Sequence, residues 1–283
     1  MSVAAETIAA PRRCTAPARA LAFARRHVLT LYALLAFGYL LLPISVVVLF
    51  SFNHPAGRFN YTWQGFTFDN WVHWDAVPGL RPAIEASLEI AAISSICATV
   101  LGALIALALV RYGFRGRGAT NLLIFLPMST PEIVLGASLL TLFLTMNVAT
   151  GFWTIVIAHV MFNISYVVVT VKARLVGFDR HLEEAAMDLG ANEWTTFRRV
   201  TLPLIAPGIL AALLLAFALS VDDFVITNFN AGTTVTFPLF VWGAARAAVF
   251  PQINVVGTAI FVVAVTAMLA NILFQNRRAA RAS

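Results

Sequence analysis

Long uncharged apolar runs, separated by short polar clusters, set the pattern of this 283-residue chain. Runs of about 20 residues, enough to cross a bilayer, cover 28–50, 90–110, 200–221 and 247–276. Between 119 and 171 the only charged or imidazole side chains are Glu132 and His159. That stretch is too long for one span, and Asn-Val-Ala-Thr-Gly at 147–151 supplies a turn that divides it in two. The pattern therefore predicts an all-α polytopic membrane protein with six transmembrane helices. The first apolar run is longer than a signal-peptide core and no small-residue cleavage site follows it, so an uncleaved anchor is expected.

Composition agrees, since 60% of residues are hydrophobic and 11% charged, against about 25% charged in soluble domains. Charge then sets an orientation. All but three of the 19 Lys and Arg fall in the amino-terminal tail (Arg12, Arg13, Arg19, Arg25, Arg26), the loop after the second run (Arg111, Arg115, Arg117), the polar segment near 172–199 (Lys172, Arg174, Arg180, Arg198, Arg199) and the carboxy-terminal tail (Arg277, Arg278, Arg281). Arg58, Arg81 and Arg246 fall on the other side. The positive-inside bias predicts both termini in the cytoplasm. Basic residues hug span ends and form no groove, so the net charge of +6 is not a nucleic-acid signal.

Residues 182–203 form a charged island. They read as two short helical pieces hinged at Gly190, with Leu182, Ala186 and Leu189 on one face and Glu183, Glu184 and Asp188 on the others. Glycine permits the turn, and Leu202-Pro203 is expected to end the second piece. Such an element suits a grip by another protein better than a place in lipid.

Two intramembrane clusters carry carboxylates. Glu132 follows Pro127 and Pro131, which break a helix where the backbone lines a cavity. Asp222 and Asp223 end the run 200–221. Counting from the cytoplasmic ends places Glu132 about 18 Å and Asp222 about 22 Å deep at 1.5 Å per residue. Ionisable groups at that depth are costly and mark candidate sites; a ring of carboxylates would favour a cation. The alternative is that the aspartates lie near the outer interface, capping a helix or pairing with Arg246 or Arg81. Glu85 and Glu89 read as solvated helix-start acids.

Other chemistry is missing. Lys172 is the sole lysine and Val171 precedes it where a P-loop needs glycine. His27, His54, His73, His159 and His181 are scattered, Cys14 and Cys97 cannot pair, and no catalytic or metal constellation exists. His159 could serve as a structural hydrogen-bonder or a proton relay. Eight aromatics in 51–82 (Phe52, Phe59, Tyr61, Trp63, Phe66, Phe68, Trp71, Trp74) suit an interface belt or a protein-docking patch. Residues 236–250, with Trp242 and Arg246, read as a short re-entrant or surface helix.

The island resembles the EAA loop of bacterial ABC importer permeases: Glu184, Ala185, Ala186, Gly190, Val200, Leu202 and Pro203 stand at its spacing, with Val200 where the family more often has Ile. Residues 131–134 (Pro-Glu-Ile-Val) and 220–227 (Ser-Val-Asp-Asp-Phe-Val-Ile-Thr) resemble third- and fifth-span segments of spermidine/putrescine permeases. Residues 65–71 (Gly-Phe-Thr-Phe-Asp-Asn-Trp) belong to the same likeness, which runs from the first span to Phe274. It implies the type I ABC importer permease fold in a bacterial inner membrane. By the same likeness 1–27 is a cytoplasmic tail, 28–50 the first span, and 51–82 a periplasmic aromatic-rich loop. A permease core then fills 83–275, with a coupling loop at 176–206, before a tail at 276–283. The implied partners are an ATPase dimer that holds ATP and Mg, a second permease subunit and a periplasmic binding protein. The implied cargo is a small organic cation, with iron(III) or thiamine as alternatives. An ion-coupled secondary transporter and a purely structural subunit are rival classes; the absence of an inverted repeat weighs against the former.

Overall fold

The computed structural model describes residues 16–177, 179 and 181–282. The expectations for Arg12, Arg13, Cys14 and Arg180 fall outside those residues. Among the described residues the named elements are all helical, and Asn53 and Phe66 form an isolated antiparallel bridge. Two compact units result, one formed by the chain up to 74 and from 251 onward, the other by 75–250. The sequence-based division, which assigns the last span to the core, differs from this one in where it places that span.

In the first unit α1 (Ala16–Ser51) packs against α12 (Pro251–Ala282), with a single-turn α2 (Asp69–Val72). The loop after α1 is tied by three buried asparagines. Asn53 donates to Asn60 Oδ1 (2.6 Å) and the Thr62 carbonyl, and accepts from Gln64 N–H. Asn60 donates to the Phe50 carbonyl, and Asn70 to those of Ser51 and Asn53. These amides occupy backbone groups that no ladder reaches. The rings then collect on the outside, with Phe52 centred 5.5 Å from Phe66 and from Phe68 and 5.4 Å from Trp71.

The second unit is built on three apolar helices, α3 (Leu80–Arg111), α6 (Phe152–Val176) and the later α9 (Leu202–Val221). Lipid offers no hydrophobic drive between helices, so close backbone approach must supply the attraction. α3 provides it with Ser94, Ala98, Gly102 and Ala106, one buried small residue per turn. At Gly102 a Cβ would lie 2.6 Å from Val167 Cγ1, so only glycine fits.

Between α3 and α6 the third apolar run bends by 106° into α4 (Arg117–Ser129) and α5 (Glu132–Thr145). Pro131 cannot donate and pushes Thr130 to extended backbone (ψ 133°). The hydroxyls of Ser129 and Thr130 donate to the carbonyls of Phe125 and Leu126 in the last turn of α4, and the Leu126 carbonyl also accepts from the Thr130 N–H. Asn147, at φ 56°, makes the expected turn before α6.

The six expected spans are met in part. Four helical segments among the described residues are long and apolar enough (27–51, Leu80–Arg111, Phe152–Val176 and 193–221), and the bent α4–α5 pair is a fifth if it counts as one. In α12 the apolar described stretch is Pro251–Thr266, shorter than a span.

Candidate functional site

Two places in the 75–250 unit draw the candidate residues together. The first is the charged island. It folds as α7 (His181–Asp188), a turn at Gly190 with φ 89°, and α8 (Glu193–Thr196), which Asn192 caps by accepting from the Thr195 N–H at Oδ1. Any side chain at Gly190 would meet open space, so glycine is demanded there by backbone conformation alone.

One expectation fails. Leu202-Pro203 does not end a helix. A π-helical turn (Phe197–Thr201) joins α8 to α9, and 193–221 runs on as one helical segment. Pro203 stands just past that π turn, inside the continuous segment. The wider π turn relieves the clash its ring would make with the preceding turn. The island is thus continuous with a membrane span.

Its faces divide cleanly. Leu182, Met187, Leu189 and Trp194 are exposed, Leu189 at 90%, and the Trp194 ring stacks on Phe197 with centroids 5.9 Å apart. Ala185 is exposed and Ala186 half-buried, Val200 and Leu202 are half-buried, and Pro203 is exposed. Glu184 is exposed and, among the described residues, meets its neighbour His181, 3.1 Å away. Glu183 faces inward instead, accepting from the Arg111 guanidinium at the end of α3 and from the Thr201 hydroxyl in the π turn. Arg111 also donates to Thr201 (3.1 Å). Arg111 and Thr201 were not singled out by sequence, because they lie 72 and 18 residues from Glu183 and no spacing rule links them.

The second place is the end of α9. The helix stops at Val221, and α10 (Val225–Asn230) starts after Asp222, Asp223 and Phe224. The adjacent aspartates part company. Asp222 is exposed. Asp223, with a side chain 7% exposed, turns inward and accepts from Thr227 N–H and Thr227 Oγ1, both at 2.7 Å, so it caps α10. Its carboxylate also meets His159 Nε2 at 3.2 Å. Neither aspartate is found with Arg246 or Arg81: Arg246 lies over the Trp242 ring, 4.9 Å from its centroid, on α11 (Phe237–Ala245), and Arg81 pairs with Glu85.

Glu132 is exposed at the first turn of α5, beyond the 106° bend, with Pro131 exposed and Pro127 half-buried inside α4. α5 packs on α10, so the broken third span and the Asp222-Asp223 segment belong to one neighbourhood. Among the described residues no group of His, Cys, Asp and Glu is arranged to hold a metal.

Comparison with known proteins places this geometry. The family model described as "Binding-protein-dependent transport system inner membrane component" matches residues 98–277. The spermidine/putrescine transport system permease protein PotC of Escherichia coli (strain K12) is 38% identical over 240 residues, 83% of this chain and 89% of that protein. The putrescine transport system permease protein PotI of the same strain is 39% identical over 236 residues, 80% and 83% of the two chains. In fold, a bacterial ABC transporter that imports the acidic polysaccharide alginate superposes with a TM-score of 0.64 at 17% identity, covering 93% of this chain and 99% of that one.

Proposed function

This chain belongs to the binding-protein-dependent transport system inner membrane components, and from that premise we propose that it is the permease subunit of an ATP-driven importer of polyamines, putrescine or spermidine. It forms the path and leaves ATP hydrolysis to a separate ATPase dimer. The observation that carries the cargo assignment is the exposed pair Asp222 and Glu132, on segments joined through α5 and α10, in a chain similar to permeases named for polyamines. A polyamine is an extended chain of cationic amines, and carboxylates at membrane depth attract it while repelling anions.

The island supplies coupling. Its exposed Leu182 and Leu189, on one face of α7, fit a hydrophobic cleft on the ATPase, with Glu184 at the rim for a basic group. Closing the ATPase dimer on ATP would push α7. The push passes through Glu183 to α3 and through the π turn to α9, and the bundle changes its facing. Both termini lie in the cytoplasm, a second permease subunit completes the path, and a periplasmic binding protein delivers the cargo.

The test is uptake of radiolabelled putrescine and spermidine into cells lacking their own importers, with the complete complex expressed. Asp222→Asn and Glu132→Gln are each expected to lower uptake about tenfold, the scale of one lost charge pair, in normally assembled complexes. Wild-type uptake of iron(III) or thiamine in place of polyamine would overturn the cargo. A second outcome concerns the hinge. Gly190→Asn should leave more uptake than Gly190→Val, because asparagine tolerates the left-handed conformation and valine loses about 1–2 kcal/mol there. Equal uptake in the two variants would remove the hinge from the coupling path.

A further inference from the structure

At the point where α9 breaks, a buried chain of polar side chains runs through four helices. Ser94 on α3 and Ser220 on α9 are 3.0 Å apart at their hydroxyls. Ser220 Oγ lies 2.6 Å from His159 Nδ1 on α6. The other ring nitrogen, Nε2, meets Asp223 Oδ2 at 3.2 Å and Thr227 Oγ1 at 3.0 Å. Asp223 then accepts from the Thr227 amide and hydroxyl at the start of α10. His159 is 3% exposed at its side chain and Asp223 7%. With Nε2–H donating to Asp223, Nδ1 either accepts from Ser220 or donates to it, and in the second case Ser220 donates to Ser94 and Ser94 to the Ala91 carbonyl, 3.4 Å away. In either arrangement Asp223 is held by donors from two elements, the His159 ring on α6 and the Thr227 amide and hydroxyl on α10.

A carboxylate so occupied has little capacity left for cargo. Removing it from its donors would strand them in a site that water does not reach, the expensive side of the hydrogen-bond balance. Its neighbour Asp222 is exposed, and among the described residues no side-chain hydrogen bond or ion pair holds it. The break between α9 and α10 thus places two chemically identical residues in different roles.

We propose that His159 is a positioning residue that holds Asp223 in the wall of the path, leaving Asp222 as the aspartate that meets the cationic cargo. The division rests on the importer reading above, but its geometry does not depend on which cation is carried. His159 donates to Asp223 and fixes the entry angle of α10; it moves no proton. Asp223 is a cap and an anchor, and cation selectivity at this step falls to Asp222.

Two measurements test this, both on the assembled complex in membranes, with Cys14 and Cys97 replaced by serine. The first is labelling of introduced cysteines by a cationic thiol reagent. Asp222→Cys should label rapidly, and Asp223→Cys at least about tenfold more slowly; equal rates would overturn the division whatever the cargo. The second is rescue in the polyamine uptake assay. Glutamine keeps an N–H at the position of Nε2 but cannot titrate. His159→Gln should retain uptake within about threefold of wild type, with KM unchanged, whereas His159→Ala should lose about tenfold or more in maximal rate. Asp222→Asn should instead raise KM. Uptake lost equally with Gln and Ala would show that proton transfer matters and sink the proposal, as would full uptake with Ala. If the wild-type complex hydrolyses ATP yet carries no polyamine, the cargo reading fails, and the labelling ratio still decides the proposal.

Discussion

Replacing Glu183 by arginine is expected to abolish coupled transport while leaving an assembled complex. In the native chain Glu183 accepts from Arg111 at the end of α3 and from Thr201 in the π turn, so one carboxylate links α7 to two membrane helices. Glu183→Arg sets two guanidiniums against each other where both side chains are largely shielded, 27% exposed for Arg111 and 15% for Glu183. Breaking a buried pair costs about 3–5 kcal/mol; partial exposure reduces this to about 1–3. That is enough to detach α7 from α3 and too little to unfold the bundle. The complex should hydrolyse ATP with uptake reduced more than about tenfold. The reciprocal double variant, Glu183→Arg with Arg111→Glu, re-forms the pair and should recover a large part of uptake. Failure of the double to exceed either single would mean that the pair carries no coupling. The measurement is uptake per ATP hydrolysed, in matched amounts of assembled complex.

Gly102→Leu is expected to act one level lower, on the bundle itself. A Cβ at this position would stand 2.6 and 2.8 Å from two carbons of Val167 and 3.3 Å from the Ile164 carbonyl. Valine in a helix is locked at χ1, so it cannot swing aside, and α3 and α6 must move apart. Overpacking of this kind costs about 1–3 kcal/mol in well-packed cores. The cost is felt along the whole stripe of Ser94, Ala98, Gly102 and Ala106, because separation there weakens every small-residue contact. The Ser94–Ser220 link to His159 would stretch with it. The expected result is loss of most membrane-extractable assembled complex on size exclusion. Val167→Ala in the same chain should restore part of it by returning the lost space. Normal yield of the Gly102→Leu single would contradict the close packing of α3 on α6.

Much of this arrangement can be read from the chain before any coordinates. Uncharged run lengths mark the spans, and the spacing from Glu184 to Pro203 marks the island with its turn at Gly190. What the sequence hides is whatever depends on distant residues meeting. Arg111 and Glu183 are 72 positions apart, and His159 and Asp223 are 64, with nothing periodic between them. The two aspartates look equivalent as letters. They separate because α9 stops at Val221, after which consecutive side chains leave the backbone in different directions. Likewise Pro203 reads as a stop, and only the π turn before it shows why the helix continues. A straight-helix count of depth for Glu132 ignores the 106° bend that precedes it.

The most direct measurement reconstitutes the chain with its ATPase, partner permease and binding protein in proteoliposomes, and follows labelled putrescine and spermidine. ATP-dependent accumulation that requires the binding protein and falls with Asp222→Asn is the predicted result. A complex that hydrolyses ATP in response to its binding protein but accumulates neither polyamine, or accumulates both equally well without ATP, would contradict it.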